Sequence, residues 1–397
     1  KTGLVLKQFT EVARGMGARD IVAVATCAAR EAENRGELLK EARACGINLR
    51  IIPGIEEARL IRLGVLGPNC PERTLLMDIG GGSTEVAVAE GRENLYLDSL
   101  SLGAIRLAYG SGIDQHKPVT ARQYDALRRQ VDTQSYRTVG RVRELGFTRA
   151  VGSSGTLMAL AAVCAARRTD GDASYLRYDE LTVLMKDLCS RTLAARAKVP
   201  KLSVSRADII IGGGAVAEEL MALLGIDLIE ISPKGLREGL QADYLAVHGG
   251  TSVDVRGSAV RTLAARCGCD TKHSAAVRRY ALALFDALKL QGVLTLGDSW
   301  RELLGYAADL HDAGEFISYE RHSVHSYTII INAALAGFDS QELQEMALMA
   351  RFHHNSLPGP NSKNFTGMDQ ADITAVRQCG LLLKIADILD GSHNNTI

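Results

Sequence analysis

The sequence predicts an α/β protein that continues into an all-helical region, and three observations lead to this prediction. Residues 1–70 alternate between helical and strand-like segments, which is typical of parallel strands covered by helices. Residues 71–248 open with an apolar hairpin and continue with strand-turn-helix units at 149–165 and 208–224. From residue 249 onward apolar residues recur almost only at helical spacing. We therefore expect three domains, with the boundaries 1–70, 71–248 and 249–397.

Glycine and proline mark the ends of the predicted elements in the first region. Pro53-Gly54 separates a strand from the helix after it, and Gly67-Pro-Asn-Cys-Pro71 predicts a linker. The run Gly249-Gly-Thr-Ser252 predicts the start of the helical domain. The elements expected before the linker are helix 1–17, strand 20–25, helix 34–45, strand 48–52 and helix 55–64.

Composition and charge exclude several classes of protein. A hydrophobic fraction of 46% with 23% charged residues is that of a globular protein. We find no signal peptide and no apolar run near the roughly 18 residues of a membrane helix. A formal net charge of +0 provides no global field for nucleic acid, and eight cysteines without a CxxC pair favour reduced thiols. We expect a cytoplasmic protein without nucleic-acid or membrane partners.

The stretch from Thr74 to Val88 predicts a phosphate-binding hairpin. Apolar residues on both sides enclose three glycines, which allow a tight turn, and the N–H groups of such a turn can converge on an anion. Asp78 and Glu85 flank the turn on opposite strands, where both carboxylates could hold a divalent cation against a phosphate. An ordinary hairpin with a glycine-rich tip is the alternative.

Two further glycine motifs resemble the first. Ala150-Val-Gly-Ser-Ser-Gly-Thr-Leu157 and Ile209-Ile-Ile-Gly-Gly-Gly-Ala215 each read as the end of a strand and the start of a helix. A helix start has unsatisfied N–H groups that suit an anion, although tight helix–strand packing explains a single motif more often than a phosphate does. No segment matches GxxxxGK[ST] or GxGxxG, which disfavours P-loop NTPases and Rossmann oxidoreductases.

Four motifs together carry a resemblance to a known family. The run MDIGGGSTE, the segment Pro53-Gly-Ile-Glu-Glu-Ala-Arg59, VGSSGT and Ser232-Pro-Lys-Gly-Leu-Arg-Glu-Gly239 resemble the exopolyphosphatase/guanosine pentaphosphate phosphohydrolase (Ppx/GppA) family. The resemblance implies an actin-like fold of two ribonuclease-H-like lobes with the active site between them, followed by an all-α HD-like domain. It also implies a bacterial stringent-response enzyme that uses Mg²⁺ or Mn²⁺ to remove the terminal phosphate of polyphosphate or guanosine pentaphosphate. Such proteins often form homodimers.

The resemblance assigns roles to individual positions of this chain. Glu57 matches the proposed catalytic base, which orients and deprotonates water. Asp78 and Glu85 match the carboxylates linked to the metal. The implied substrate-binding residues are Arg30, Gly80, Gly81, Gly82, Ser83, Thr84, Gly152, Ser153, Ser154, Gly155 and Thr156. From the residues alone, Glu56, Glu57 and Arg59 could instead favour the helix dipole and form a solvated face.

The sequence departs from the family pattern at its beginning. The family has a further phosphate loop near its start, of the type Asp-x-Gly-Ser-Asn-Ser, and this sequence contains no such turn. We expect an N-terminal segment to be missing from the chain. A protein that truly lacked this loop would have little or no activity.

The helical region contains a second set of candidate ligands. His311-Asp312, with His273 upstream and Asp387 downstream, resembles the metal-dependent HD phosphohydrolase superfamily. Imidazole and carboxylate together suit a divalent transition metal, which would form a second metal site. His322, His325, His353 and His354 add further imidazoles. A relic helical domain with structural His-Asp pairs is the alternative.

Three functions remain open at this stage. The first is hydrolysis of polyphosphate or guanosine pentaphosphate at the hairpin. The second is a metal-dependent HD-type phosphohydrolase whose actin-like part senses (p)ppGpp or polyphosphate. The third is a binder of these ligands without activity, and an actin-like sugar kinase is a weaker fourth. The sequence does not distinguish the preferred phosphate donor.

Overall fold

The structure, a computed structural model, describes residues 2–248, 254–333, 335–354 and 357–391. The chain divides into two compact units, one formed by 1–25, 29–56 and 254–397 and the other by 26–28 and 57–253. The three domain boundaries inferred from the sequence stay a prediction. The expected boundary at 249–252 lies outside the described residues, as does the end of the helical domain at 392–397.

The first 66 residues form the alternating elements that the sequence predicts, with one short helix in addition. Strands β1 and β2 pair in parallel, with Ala23 opposite Leu49, as expected for strands joined by a crossover. The additional helix is α2. The elements are α1 (Thr2–Gly15), β1 (Ala23–Ala25), α2 (Cys27–Glu31), α3 (Arg35–Ala44), β2 (Leu49–Ile51) and α4 (Gly54–Leu66).

The middle of the chain forms the larger sheet and its covering helices. The strands are β3 (Cys70–Ile79), β4 (Thr84–Gly91), β5 (Glu93–Leu100), β6 (Arg149–Ser153), β7 (Tyr175–Arg177) and β8 (Leu228–Ile231). The helices are α5 (Ala104–Gly110), α6 (Ala121–Leu145), α7 (Ser154–Ala165), α8 (Tyr178–Ser190), α9 (Leu193–Arg196), α10 (Ile210–Leu224) and α11 (Leu236–His248), with a 3₁₀ turn at Val204–Arg206.

Across the described residues this sheet has six strands in the order β5-β4-β3-β6-β8-β7. Strands β3, β4 and β5 form an antiparallel meander, and β6 and β8 continue the sheet in parallel. This is the order expected of a ribonuclease-H-like lobe, and the α/β part of the predicted fold is confirmed.

Strands β3 and β4 are buried on both faces, which explains their continuous apolar sequence. On one face Leu75, Met77 and Ile79 join the main core under α6, α7 and α10. On the other face Leu76 packs with Ile61 of α4. The hairpin strands and helix α4 are thus held together by packing on this face of the sheet.

The prediction of a linker at 67–71 is wrong for residues 70 and 71. Strand β3 already begins at Cys70, which pairs with Gly91 and is buried. The Cys70 thiol donates to Thr74 Oγ1 at 3.2 Å, so a small buried side chain continues the strand despite the neighbouring proline.

The C-terminal part is helical, as predicted. Its helices are α12 (Val255–Cys267), α13 (Thr271–Leu290), α14 (Asp298–Leu310), α15 (His322–Asn332), α16 (Ser340–Phe352) and α17 (Gln370–Leu389), with 3₁₀ turns at Ala313–Phe316 and Lys363–Phe365. They share one core that includes Phe285 and Phe338. In the described ranges, none of the helices of the protein combines the length and apolar character needed to cross a membrane.

Candidate active site and metal centre

The hairpin turn lies between two paired carboxylates. Asp78 and Glu85 are directly opposite each other in the β3–β4 ladder, and Ile79 pairs with Thr84 at the last rung. The Gly80 N–H donates to the Ser83 carbonyl at 2.9 Å and closes the turn. The strand-turn-strand prediction is therefore confirmed, with both acids at the mouth of the turn.

The carbonyl groups of Gly80, Gly81 and Gly82 face the start of helix α5. Ala104 N–H donates to Gly80 O at 3.0 Å, and the N–H groups of Ile105 and Arg106 donate to Gly81 O at 2.9 and 3.1 Å. The Arg106 Nε–H donates to Gly82 O at 2.7 Å. The turn thereby satisfies N–H groups that a helix start leaves without partners.

Because of this arrangement, three N–H groups of the turn point in the direction opposite to its carbonyl groups. In a trans peptide the N–H of one residue is antiparallel to the carbonyl of the residue before it. The N–H groups of Gly81, Gly82 and Ser83 therefore point away from α5, and they have no main-chain partner among the residues that the structure describes. Such a set of adjacent donors is an anion-binding concavity.

Two glycines are required for the close approach of the turn to its surroundings. A Cβ atom at Gly103 would lie 2.4 Å from the Gly81 carbonyl oxygen, and one at Gly82 would lie 2.7 Å from the Cys27 Sγ. The Thr84 hydroxyl donates to Leu102 O at 2.6 Å, so this side chain anchors the end of the turn. Gly103 was missed by the sequence analysis because no local pattern marks it.

Glu57 joins Asp78 and Glu85 in a group of three buried carboxylates, which are 7%, 8% and 3% exposed. Burial raises the pKa of Glu85 to about 8, and the negative charge of Glu57 adds to this rise. Burial also raises the pKa of Asp78 to about 6, against a hydrogen bond from Ser153. The electrostatic effect of Glu57 on Glu85 requires the two groups to be near each other.

The solvated-face interpretation of the segment around Glu57 is wrong. Glu56, Glu57 and Arg59 are all buried. Glu56 accepts a hydrogen bond from the Gly337 N–H at 2.6 Å, and Arg59 pairs with Asp243 at 2.9 Å. The two adjacent glutamates therefore have different environments.

Hydroxyl groups position the carboxylates from neighbouring strands. Ser99, opposite Glu85 on β5, donates to Glu85 Oε1 at 2.8 Å. The Ser153 hydroxyl donates to Asp78 Oδ2. Ser99 was missed by the sequence analysis because only the register of β4 and β5 brings it to Glu85.

The second predicted loop, Gly152–Thr156, joins β6 to α7 beside the hairpin. The Ser154 hydroxyl donates to Ile79 O, and Ser154 has a left-handed backbone with φ of 76°. A Cβ atom at Gly155 would lie 1.9 Å from Nη2 of Arg206, so this guanidinium covers the loop. Gly152 packs against Leu157, and Thr156 is buried. The loop is thus tied to the strand that carries Asp78, and Arg206 is an additional cation beside it.

The third glycine motif does not form a loop. Gly212, Gly213 and Gly214 lie inside α10 and are fully buried. Cβ atoms there would lie 2.6 Å from Ala104 O, 2.4 Å from Thr156 Cγ2 and 2.3 Å from Met185 Sδ. The predicted strand and anion site at 209–215 are wrong, because these glycines serve close packing between helices.

Arg30 lies in the other compact unit. It is part of α2, and its Nη1–H donates to Ile52 O at 2.8 Å. Its role toward a phosphate stays a prediction.

The four ligands predicted in the helical region do lie together. The His273 and His311 Nε2 atoms are 3.3 Å apart. Asp312 Oδ2 lies 3.2 Å from His311 Nε2, and Asp387 Oδ1 lies 3.3 Å from His273 Nε2. Asp390 accepts from His273 Nδ1 at 2.8 Å and was not predicted. Packing of α13, α14 and α17 thus brings residues more than 100 positions apart to one site.

Comparison with known proteins identifies the family. The model of the Ppx/GppA phosphatase family matches residues 1–248, and the model of Ppx/GppA phosphatase domain III matches residues 255–397. The chain belongs to the Ppx/GppA phosphatase family. It is therefore a phosphatase, and thus a hydrolase.

Solved structures agree with the family and the fold. An exopolyphosphatase from Cytophaga hutchinsonii is 25% identical with a TM-score of 0.56, covering 62% of this chain and 80% of that one. An exopolyphosphatase-like protein is also 25% identical, with a TM-score of 0.55 and coverage of 61% and 80%. A Ppx/GppA protein from Aquifex aeolicus is 24% identical, with a TM-score of 0.54 and coverage of 62% and 81%, and supports the fold.

In this Ppx/GppA protein the helical cluster attracts positive charge. Burial opposes a charge on His311, but Asp312 and Asp387 outweigh it and raise the pKa of His311 to about 10. A hydrogen bond to Asp387 raises the pKa of His273. Despite burial, the imidazoles of His311 and His353 hold the pKa of Asp312 far below its usual range. The carboxylates stay ionised, so the cluster suits a cation.

Proposed function

We propose that this Ppx/GppA protein releases the terminal phosphate of polyphosphate, of guanosine pentaphosphate, or of both, by attack of water at the hairpin. The observation that carries the proposal is the convergence of Glu57, Asp78 and Glu85 beside the turn at residues 80–83. Neither an ordinary hairpin tip nor a solvated helix face accounts for three buried acids. The similar exopolyphosphatase from Cytophaga hutchinsonii supports polyphosphate as a substrate.

The turn is suited to hold the terminal phosphate. The N–H groups of Gly81, Gly82 and Ser83 point away from α5 and would donate to the phosphoryl oxygens. Phosphoryl transfer requires mainly positioning and neutralisation of charge on those oxygens. Donors fixed before the reaction stabilise the developing charge without reorganisation.

Asp78 and Glu85 fit a Mg²⁺ or Mn²⁺ ion. Both are oxygen donors, as these ions prefer. Burial raises the pKa of both carboxyl groups, and the negative charge of Glu57 raises that of Glu85 further. When bound, such an ion would neutralise charge on the phosphate oxygens. The hydroxyls of Ser99 and Ser153 hold the two carboxylates in place.

Glu57 acts as the general base. It accepts a proton from water as the water oxygen bonds to the terminal phosphorus and the P–O bond to the penultimate phosphate breaks. The products are orthophosphate and polyphosphate one unit shorter, or guanosine tetraphosphate. Glu56 is unsuited to this role because its carboxylate accepts the Gly337 N–H.

Arg206 contributes positive charge for the substrate. Its guanidinium covers Gly155 in the second loop. A polyphosphate extending from the turn toward this loop would meet that cation. We also propose that Arg30 contacts phosphate, as the family resemblance implies.

The test is release of orthophosphate from long-chain polyphosphate and from guanosine pentaphosphate, measured side by side with Mg²⁺ and with Mn²⁺. Glu57→Gln is expected to lower kcat by roughly 10²- to 10⁴-fold, the usual contribution of a general base. Glu56→Gln is the matched control and is expected to retain kcat within about threefold.

Equal kcat values for the Glu57→Gln variant and the wild type would contradict the role of Glu57. Binding of either ligand without phosphate release by the wild-type protein would favour the non-catalytic binder. The ratio of the two kcat/KM values identifies the preferred phosphate donor.

A further inference from the structure

Asp312 lies between two pairs of histidines. Its Oδ2 atom is 3.2 and 3.6 Å from the Nε2 atoms of His311 and His273. Its Oδ1 atom is 3.5 Å from the Nε2 atoms of both His322 and His353. Each oxygen of one carboxylate therefore faces a separate pair of imidazoles.

Hydrogen bonds to the other ring nitrogens determine the tautomers. Nδ1 of His311 lies 2.8 Å from Ala308 O, Nδ1 of His322 lies 3.0 Å from Tyr319 O, and Nδ1 of His353 lies 2.6 Å from Ala350 O. A carbonyl can only accept, so these Nδ1 atoms carry protons. In the neutral rings the Nε2 lone pairs then point toward Asp312, which is the usual arrangement of metal-binding histidines.

The spacing of the Nε2 atoms matches the spacing of two ligands on one ion. His273 and His311 are 3.3 Å apart at Nε2, and His322 and His353 are 3.1 Å apart. Two nitrogens at roughly 2.1 Å from one metal lie about 3.0–3.4 Å from each other, for angles between octahedral and tetrahedral.

We propose that the helical region holds a two-metal centre in which Asp312 bridges two divalent transition-metal ions. The other ligands of one ion are His273, His311 and Asp387. His322 and His353 are ligands of the second ion. His354 is a further ligand for the second ion, because its ligand atom lies within 4.8 Å of those of His322 and His353. Imidazole with carboxylate suits Mn²⁺, Fe²⁺, Co²⁺ or Zn²⁺.

The charge and exposure of the centre suit a phosphate ester as substrate. The positive charge of two divalent ions exceeds the negative charge of Asp312, Asp387 and Asp390. The loaded centre would therefore attract an anion. The side chains of Asp312 and Asp387 are 16% and 23% exposed, whereas His273 and His311 are 2% and 0% exposed. The imidazoles thus hold the ions from inside while the acidic edge is open to solvent.

Paired metals 3.5–4 Å apart are typical of phosphoester hydrolysis. In that reaction a water oxygen bonds to phosphorus, the ester P–O bond breaks, and the proton from water ends on the leaving alkoxide or phenoxide. The proposal concerns a second site in the chain and does not rest on the function proposed for the hairpin.

The first test is metal stoichiometry of the 397-residue chain after chelation and reloading with Mn²⁺. Relative to wild type, Asp312→Asn is expected to lose two ions per chain and His353→Gln one ion. His325→Gln is the matched control, because His325 belongs to the same helix as His322 but to neither histidine group, and it is expected to lose none. Loss of fewer than two ions in Asp312→Asn would overturn the proposal.

The second test does not depend on folding of a variant. The electron paramagnetic resonance spectrum of Mn²⁺-loaded wild-type protein is expected to show an exchange-coupled pair. A spectrum of isolated ions only would overturn the bridging role of Asp312.

The third test addresses catalysis with bis(p-nitrophenyl) phosphate. It is made in the Glu57→Gln background to silence the hairpin site. Mn²⁺-dependent release of p-nitrophenol is expected there, with at least a hundredfold loss when Asp312→Asn is added and no loss with His325→Gln. Absence of release from protein that holds both ions would overturn the assignment as a phosphoester hydrolase.

Discussion

Substitution of Glu85 by glutamine is expected to change how the stability of the metal-free protein depends on pH. Burial and the charge of Glu57 raise the pKa of Glu85 from 4.5 to about 8. A raised carboxyl pKa means that folding favours the protonated form. Its contribution to stability is therefore fully present below pH 4.5 and is lost as pH rises through about 8.

The size of this effect follows from the same two values. The full change corresponds to roughly 5 kcal/mol, at 1.36 kcal/mol for each tenfold change in proton affinity. Between pH 5 and pH 7 the loss is about 2.5 kcal/mol, because the unfolded carboxyl is mostly ionised in this range while the folded one stays mostly protonated. Glutamine at position 85 has no such ionisation.

The measurement is urea unfolding followed by circular dichroism in EDTA buffers at pH 5, 6, 7 and 8. The difference in unfolding free energy between Glu85→Gln and wild type is expected to grow by about 2.5 kcal/mol from pH 5 to 7. Mg²⁺ is expected to stabilise the wild type at pH 7 and 8, because a ligand that binds only the folded state adds to stability.

A control and a refuting result complete this test. Glu93→Gln, at an exposed position on the neighbouring strand β5, is expected to differ from wild type by less than about 0.5 kcal/mol at every pH. If the stability curves of wild type and Glu85→Gln were parallel from pH 5 to 8, the inference that burial in the hairpin site raises the pKa of Glu85 would be refuted.

Three further predictions concern the turn, the second loop and the helical core. Gly82→Ala would place a Cβ atom 2.7 Å from Cys27 Sγ, so phosphate release should fall at least tenfold. The control is Gly110→Ala, where a Cβ atom would meet open space, and this change should leave phosphate release unchanged. Arg206→Ala should raise KM for polyphosphate more than it lowers kcat, and the exposed Arg137→Ala should change neither. Phe285→Ala removes a fully buried ring and should lower the unfolding free energy by about 3–5 kcal/mol.

Each of these has an outcome that contradicts it. Full activity of Gly82→Ala would show that the turn N–H groups do not need their present positions. An unchanged KM for Arg206→Ala would remove this arginine from the phosphate path. A loss below about 1 kcal/mol for Phe285→Ala would mean that the helical core closes around the missing ring.

Local sequence signals predicted the hairpin well. Apolar runs on both sides of three glycines require a strand, a tight turn and a second strand, whatever the rest of the chain does. The same reasoning was wrong at Gly212–Gly214, because an apolar run before glycines does not distinguish a strand from a buried helix. There the space between α10 and its neighbours decides, since any Cβ atom would lie within 2.6 Å of another atom.

The sequence by itself determined the chemistry of the residues and the order of the elements: a glycine turn between two acids, and histidines with aspartates on helices. Only the tertiary structure brought Glu57 of α4 beside Glu85, and only it set Asp312 between two pairs of imidazoles. The physical reason is that backbone preferences act over a few residues, whereas these groups converge through packing of elements distant in the chain. Burial in those packed sites then makes the charges depend on one another.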